Sequence, residues 1–81
     1  MKIKIEGIRQ ITIKDEYIKL DSLLKYASMV STGGEAKIYI QNGDIFVNSE
    51  VCFMRGKKIR SGDIVRLKNQ ILKVKSSNDN K

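Results

Sequence analysis

The chain has 81 residues, enough for one small core and too few to surround a substrate with a deep pocket. Sixteen Lys and Arg against nine Asp and Glu leave a net charge of +7, which favours polyanions through counterion release. A composition 41% hydrophobic and 31% charged is that of a folded soluble domain rather than a disordered one. There is no His, one Cys, and no apolar run near the ~20 residues of a bilayer span. Zinc, a disulfide, imidazole-based catalysis and membrane insertion are therefore excluded, and no cofactor is expected. The N-terminus MKIKIEG alternates charge with Ile and builds no signal-peptide core, so a cytoplasmic protein is expected.

Residues 2–14, KIKIEGIRQITIK, place apolar side chains at Ile3, Ile5, Ile11 and Ile13, the period-two pattern of one or two half-buried strands. At Leu20 the period changes: Leu20, Leu23, Leu24, Ala27 and Val30 line one face of a helix. Asp21 suits its N-cap or first turn, and Lys25 lies four residues on as an ion-pair partner.

Thr32 stands three residues before Glu35, the spacing of a capping box, and predicts a second helix with Ala36, Tyr39 and Ile40 on its inner face. Gly43, after Gln41 and Asn42, can adopt the left-handed conformation that closes it, giving about two and a half turns. DIFVNSEVCF predicts two strands joined at Asn48-Ser49 by a type I′ turn. RGKKIRSGDIVRL predicts a loop, a turn at Ser61-Gly62-Asp63 and a strand. QILKVK predicts a last strand after Lys68-Asn69, and SSNDNK a frayed tail.

Four features bear on chemistry. STGGEAK puts glycines at a helix start, but Lys37 follows Gly34 by three positions with no hydroxyl behind it, so it is not a Walker loop. Cys52, in VCF, reads as a small buried hydrophobe. Tyr17, Tyr26, Tyr39, Phe46 and Phe53 are scattered and read mostly as core, not as an RNA-stacking platform. Arg55, Lys57, Lys58 and Arg60 put four cations in six residues with no intervening carboxylate, a repulsion that a phosphate backbone would relieve.

The pattern IKLDSLLKYASMVSTGGEAKIYIQNGDIFVNSEV followed by RGKKIRSGDIV resembles the S4 RNA-binding domain over about residues 18–67. The Gly-Gly between the helices and the Arg-Gly-Lys-Lys-Ile segment resemble, more narrowly, the small stand-alone bacterial S4-like proteins. The resemblance implies an α+β fold of the alpha-L type: two short antiparallel helices packed on a small bent antiparallel sheet. Residues 1–17 would then be a strand extension and 68–81 a final strand and disordered tail.

It also implies a non-catalytic protein that binds structured RNA, most plausibly ribosomal RNA, as a monomer with no small-molecule substrate. By position, its RNA-contacting residues are Lys19, Ser31, Thr32, Gly33, Lys37 and Gln41, with Arg55, Lys57 and Lys58 from the basic loop and Lys25 beside them. Lys19 stands where the family commonly has Arg, a point charge in place of a bidentate fork. The alternative is a ribosome-associated adaptor whose helix face docks a protein. Duplex DNA is a third reading, and it lacks a recognition helix.

Overall fold

The computed structural model describes residues 7–77, so the alternation at Ile3 and Ile5 and the end of the tail lie outside the described residues. The elements run β1 (Ile8–Ile13), β2 (Tyr17–Lys19), α1 (Leu20–Tyr26), α2 (Gly33–Gln41), β3 (Ile45–Val47), β4 (Glu50–Val51), β5 (Lys58–Arg60), β6 (Ile64–Leu67) and β7 (Gln70–Ser76). Five strands form one sheet in the order β1-β7-β6-β3-β4, and β2 and β5 form a separate two-stranded ribbon. The fold is α+β, as the resemblance implied, with one addition. β7, β6, β3 and β4 pair antiparallel, whereas β1 joins the outer side of β7 in parallel.

The core follows from alternation. Ile45 and Val47, Val65 and Leu67, and Leu72 and Val74 point to one face of the sheet. There they meet Leu20, Leu23 and Leu24 of α1 and Ala36 and Ile40 of α2 in one aliphatic cluster. Fully burying one such Leu, Ile or Val stabilises by about 1.5–3 kcal/mol, which is why their spacing decides the fold.

None of the five aromatics is in the buried core: Tyr17, Tyr39 and Phe46 are half-buried, while Tyr26 and Phe53 are exposed. This corrects the expectation that most would be core, and the reason is volume. Two short helices leave a thin space that branched aliphatic side chains fill without a ring. Cys52 is half-buried at the edge of the cluster. The tail begins later than expected, since Ser76 is buried at the end of β7 and its hydroxyl donates to the Asp15 carbonyl at 2.7 Å.

The turns obey the local chemistry. Asn48 and Ser49 both take positive φ, 52° and 75°, as a type I′ turn requires. Asn48 also accepts from the Ile64 amide at 2.9 Å and donates to Asp63 at 3.0 Å, tying the hairpin to the turn before β6. Gly62, at φ 94°, allows the Arg60–Asp63 turn, which the Asp63 carboxylate closes by accepting from the Arg60 amide at 2.8 Å.

α2 is closed by its own sequence at both ends. The Thr32 hydroxyl accepts from the Glu35 amide at 3.1 Å, while the Glu35 carboxylate accepts from the Ser31 amide at 2.8 Å, one residue earlier than in a standard capping box. At its other end Gly43, at φ 79°, donates to Ile40 and Asp44 donates to Tyr39, a Schellman closure.

α1 is shorter than its apolar periodicity. Ser28 takes φ 61°, and the amides of Ser28 and Met29 donate to the carbonyls of Lys25 and Leu24, ending the helix at Tyr26 in the same motif without a glycine. Ala27 and Val30 are still buried, but from the cap and the following loop.

Candidate functional site

The candidate site is built around the start of α1. No side chain caps this helix at its N-cap, Lys19; instead the amides of Leu20 and Asp21 donate to the carbonyls of Lys57 and Arg55 at 2.9 and 3.1 Å. The backbone of the basic segment therefore completes the first turn of α1, and this fixes where its side chains begin. The Asp21 carboxylate sits 3.5 Å from the Arg55 guanidinium, so Asp21 pairs with Arg55 across the fold and not with Lys25 along the helix. Arg55 is about half exposed there, and such a surface pair contributes at most about 1 kcal/mol.

Part of the expected basic loop is a strand. β5 pairs with β2 in antiparallel register, Tyr17 opposite Arg60, Ile18 opposite Ile59 and Lys19 opposite Lys58. Ile59 is fully buried and Ile18 packs on the core, so alternation turns Tyr17, Lys19, Lys58 and Arg60 to the outer face of the ribbon. Two cations of β5 lie over the Tyr17 ring, with Lys58 Nζ 4.9 Å and Arg60 Cζ 5.6 Å from its centroid.

Lys19 and Lys58 are directly opposed cross-strand, a placement that destabilises a sheet when the charges are alike. Among the described residues, the ion pair formed by this group is Asp21 with Arg55, and it leaves Lys19 and Lys58 without a carboxylate partner. Lys57, in the connection just before β5, is exposed as well. The ribbon thus concentrates positive charge at one edge of α1 and carries a standing repulsion that an anion would remove.

The other expected residues group separately. Gly33, Lys37 and Gln41 recur every four residues along α2, with Lys37 and Gln41 exposed, and Ser31 and Thr32 are exposed in the turn that starts the helix. A side chain at Gly33 would meet nothing within 4 Å, so this helix start is open to approach. Lys25 is exposed in the last turn of α1. α1 packs against α2 and also against β2 and β5, and so joins the two groups.

The residues themselves mark Arg60 as part of the cation cluster but give Tyr17 no functional role. Period-two burial at Ile18 and Ile59 was the available signal, and it becomes informative only once the two segments are known to pair. Among the described residues, no three His, Cys, Asp or Glu side chains gather as a metal site, and no helix is long and apolar enough to cross a membrane.

Comparison with known proteins places the fold. Residues 11–75 match the S4 domain family. The chain is 37% identical over 57 residues to the probable ribosome maturation protein RlbA of Bacillus subtilis (strain 168), an alignment that covers 70% of this chain and 80% of that protein. The fold superimposes with a TM-score of 0.67 on the solution structure of YbcJ from E. coli, in which an alfaL motif involved in RNA binding was recognised. That match is 25% identical and covers 93% of this chain and 96% of the other. With the family match spanning most of the chain and the relative covered over most of its length, this chain belongs to the S4 domain family.

Proposed function

We propose that this protein binds structured RNA and acts in ribosome maturation, with ribosomal RNA as its ligand. The observation that carries the reading is the opposed Lys19–Lys58 pair on the outer face of the β2–β5 ribbon, beside Arg55, Lys57 and Arg60. Two lysines directly opposed across the ribbon without a carboxylate partner suit a phosphate group, which lowers the energy of both. Lys57 and Arg60 extend the same charge along a backbone of repeated phosphates. The start of α2 adds a second kind of contact: the Ser31 and Thr32 hydroxyls and the open Gly33 suit phosphate or 2′-OH groups, with Lys37 and Gln41 continuing along the exposed stripe. The relative named for ribosome maturation and the neighbour with an RNA-binding motif support this assignment.

No covalent step is needed. Binding by shape and charge predicts a steep salt dependence, to which each phosphate contact contributes about 0.7–0.9 in the slope of log K against log salt. Replacing Lys57 and Lys58 together by Gln should weaken binding of a ribosomal RNA fragment and of unrelated hairpins alike, and lower that slope by about 1–2. Fluorescence anisotropy across a salt series measures both quantities. Unchanged affinity and slope would remove the ribbon from the interface.

One observation favours a protein-docking role for the helix face: Tyr26 of α1 and Ile38 of α2 are both 58% exposed. Capture from extract with and without RNase separates the two readings. A partner protein retained after RNase supports the adaptor, and loss of all partners supports direct RNA binding.

A further inference from the structure

The face of the five-stranded sheet turned away from the helices carries a pattern that the ribbon does not. The strand registers place Ile8 beside Ile71, Ile71 beside Arg66, Arg66 beside Phe46 and Phe46 beside Val51, one continuous row across all five strands. Their chain neighbours Val65, Leu67, Leu72, Ile45 and Val47 are buried in the core, so alternation turns this row outward. Ile8 is 60% exposed and Val51 43% exposed, and Ile64 in the next row is 37% exposed. The Arg66 guanidinium sits 4.6 Å from the Phe46 centroid, and a shallow recess of about 300 Å³ opens between Phe46, Ser49, Ile64, Arg66 and Ile71.

The charge on this face has one sign. Lys73 and Lys75 of β7 alternate outward on the same face, Lys73 opposite Ile64 and Lys75 opposite Thr12, and no outward position of the five strands in this face is a carboxylate. Asp44 stands at the rim, in the depression it shares with Phe46, Arg66 and Lys68. A second copy of the chain would oppose like charges if it docked here face to face. A folded duplex would offer phosphates to the lysines but keep its base faces stacked inside, leaving the apolar row in water. An unpaired strand satisfies both, because its bases have free faces and its backbone is anionic.

We propose that this open sheet face binds an unpaired segment of RNA, with bases laid on the Ile71–Arg66–Phe46 row and phosphates met by Lys73 and Lys75. It is a surface distinct from the ribbon, so the two can fail separately.

The test titrates a single-stranded oligoadenylate of about twelve nucleotides and, separately, a blunt RNA hairpin. The substitutions are Arg66→Gln with Ile8→Ser, both at exposed positions. They should weaken oligoadenylate binding about tenfold, the effect of losing stacking for one base, and leave hairpin binding unchanged; Lys57→Gln with Lys58→Gln should mainly weaken the hairpin. A readout on the unmodified chain guards against misfolded variants: the amide resonances of Phe46, Arg66, Ile71 and Lys73 should move with oligoadenylate. Oligoadenylate shifts confined to β2, β5 and α2, or no binding of oligoadenylate by the unmodified chain, would overturn the proposal even with hairpin binding intact. A polyglutamate peptide that moves these resonances where oligoadenylate does not would also overturn it, in favour of an acidic protein partner. Loss of hairpin binding alone bears on the ribbon and not on the sheet.

Discussion

The two helices solve the same problem in opposite ways. α2 closes its ends with residues of its own neighbourhood, Thr32 and Glu35 before it and Gly43 after it. α1 has no side-chain cap at its start and takes two backbone carbonyls from Arg55 and Lys57, far along the chain. At its end, Arg9 of β1 donates to the Ala27 carbonyl at 3.0 Å, a cation at the negative pole of the helix. The ends of α2 can therefore be understood from its own neighbourhood, whereas the first turn of α1 is completed by the basic segment. The consequence for function is a division of labour within residues 55–58. The Arg55 and Lys57 carbonyls hold the start of α1, while the Lys57 side chain is exposed and the Lys58 ammonium lies at the surface over the Tyr17 ring.

Deleting Gly56 tests that division most severely. One of the two carbonyls would move off its donor, leaving an N–H at the start of α1 unpaired. Chemical denaturation should register a loss of about 1–3 kcal/mol, accompanied by reduced helical circular dichroism. The Lys57→Gln and Lys58→Gln pair should instead leave stability within about 0.5 kcal/mol while changing RNA affinity. A large stability loss from those side chains would break the comparison.

A smaller effect is expected from Thr32→Ala, which removes the one hydroxyl that caps α2 and should cost about 1 kcal/mol in the same measurement. Thr32→Ser keeps the acceptor and should restore most of it. The smallest effect has the opposite sign. Ser28 holds φ 61° to end α1, so Ser28→Gly should raise stability by about 0.5–1 kcal/mol and the melting temperature with it. No gain would mean that the Ser28 side chain offsets its own backbone strain.

What could be read from the residues follows the same line. The capping pair at Thr32 and Glu35, the stop at Gly43, the Asn48-Ser49 turn and the apolar face of α1 are all interactions across a few residues. The Asp21–Lys25 pairing was read along the helix, where spacing permits it, but the nearer tertiary partner Arg55 takes the carboxylate. β2 and β5 are three residues each, too short for a periodicity signal, and neither is a strand without the other. Lys58 and Arg60 were consequently read as loop residues. The resemblance implies contacts at Lys19 and Lys58, yet their direct opposition cannot be read from it, and the sheet row of Ile8, Ile71, Arg66, Phe46 and Val51 leaves no trace in the linear order.

By itself the sequence determined the charge, the small aliphatic core, the order of most elements and the ends of α2, because propensity, capping and turn geometry act within a few residues of one another. The tertiary structure decided which cations share a surface, which carboxylate neutralises which guanidinium, what completes the first turn of α1, and that β1 lies parallel to β7. Those outcomes depend on strand register, and a shift of one residue would exchange the buried and exposed faces. Register is set by the packing of the whole core and not by any segment alone.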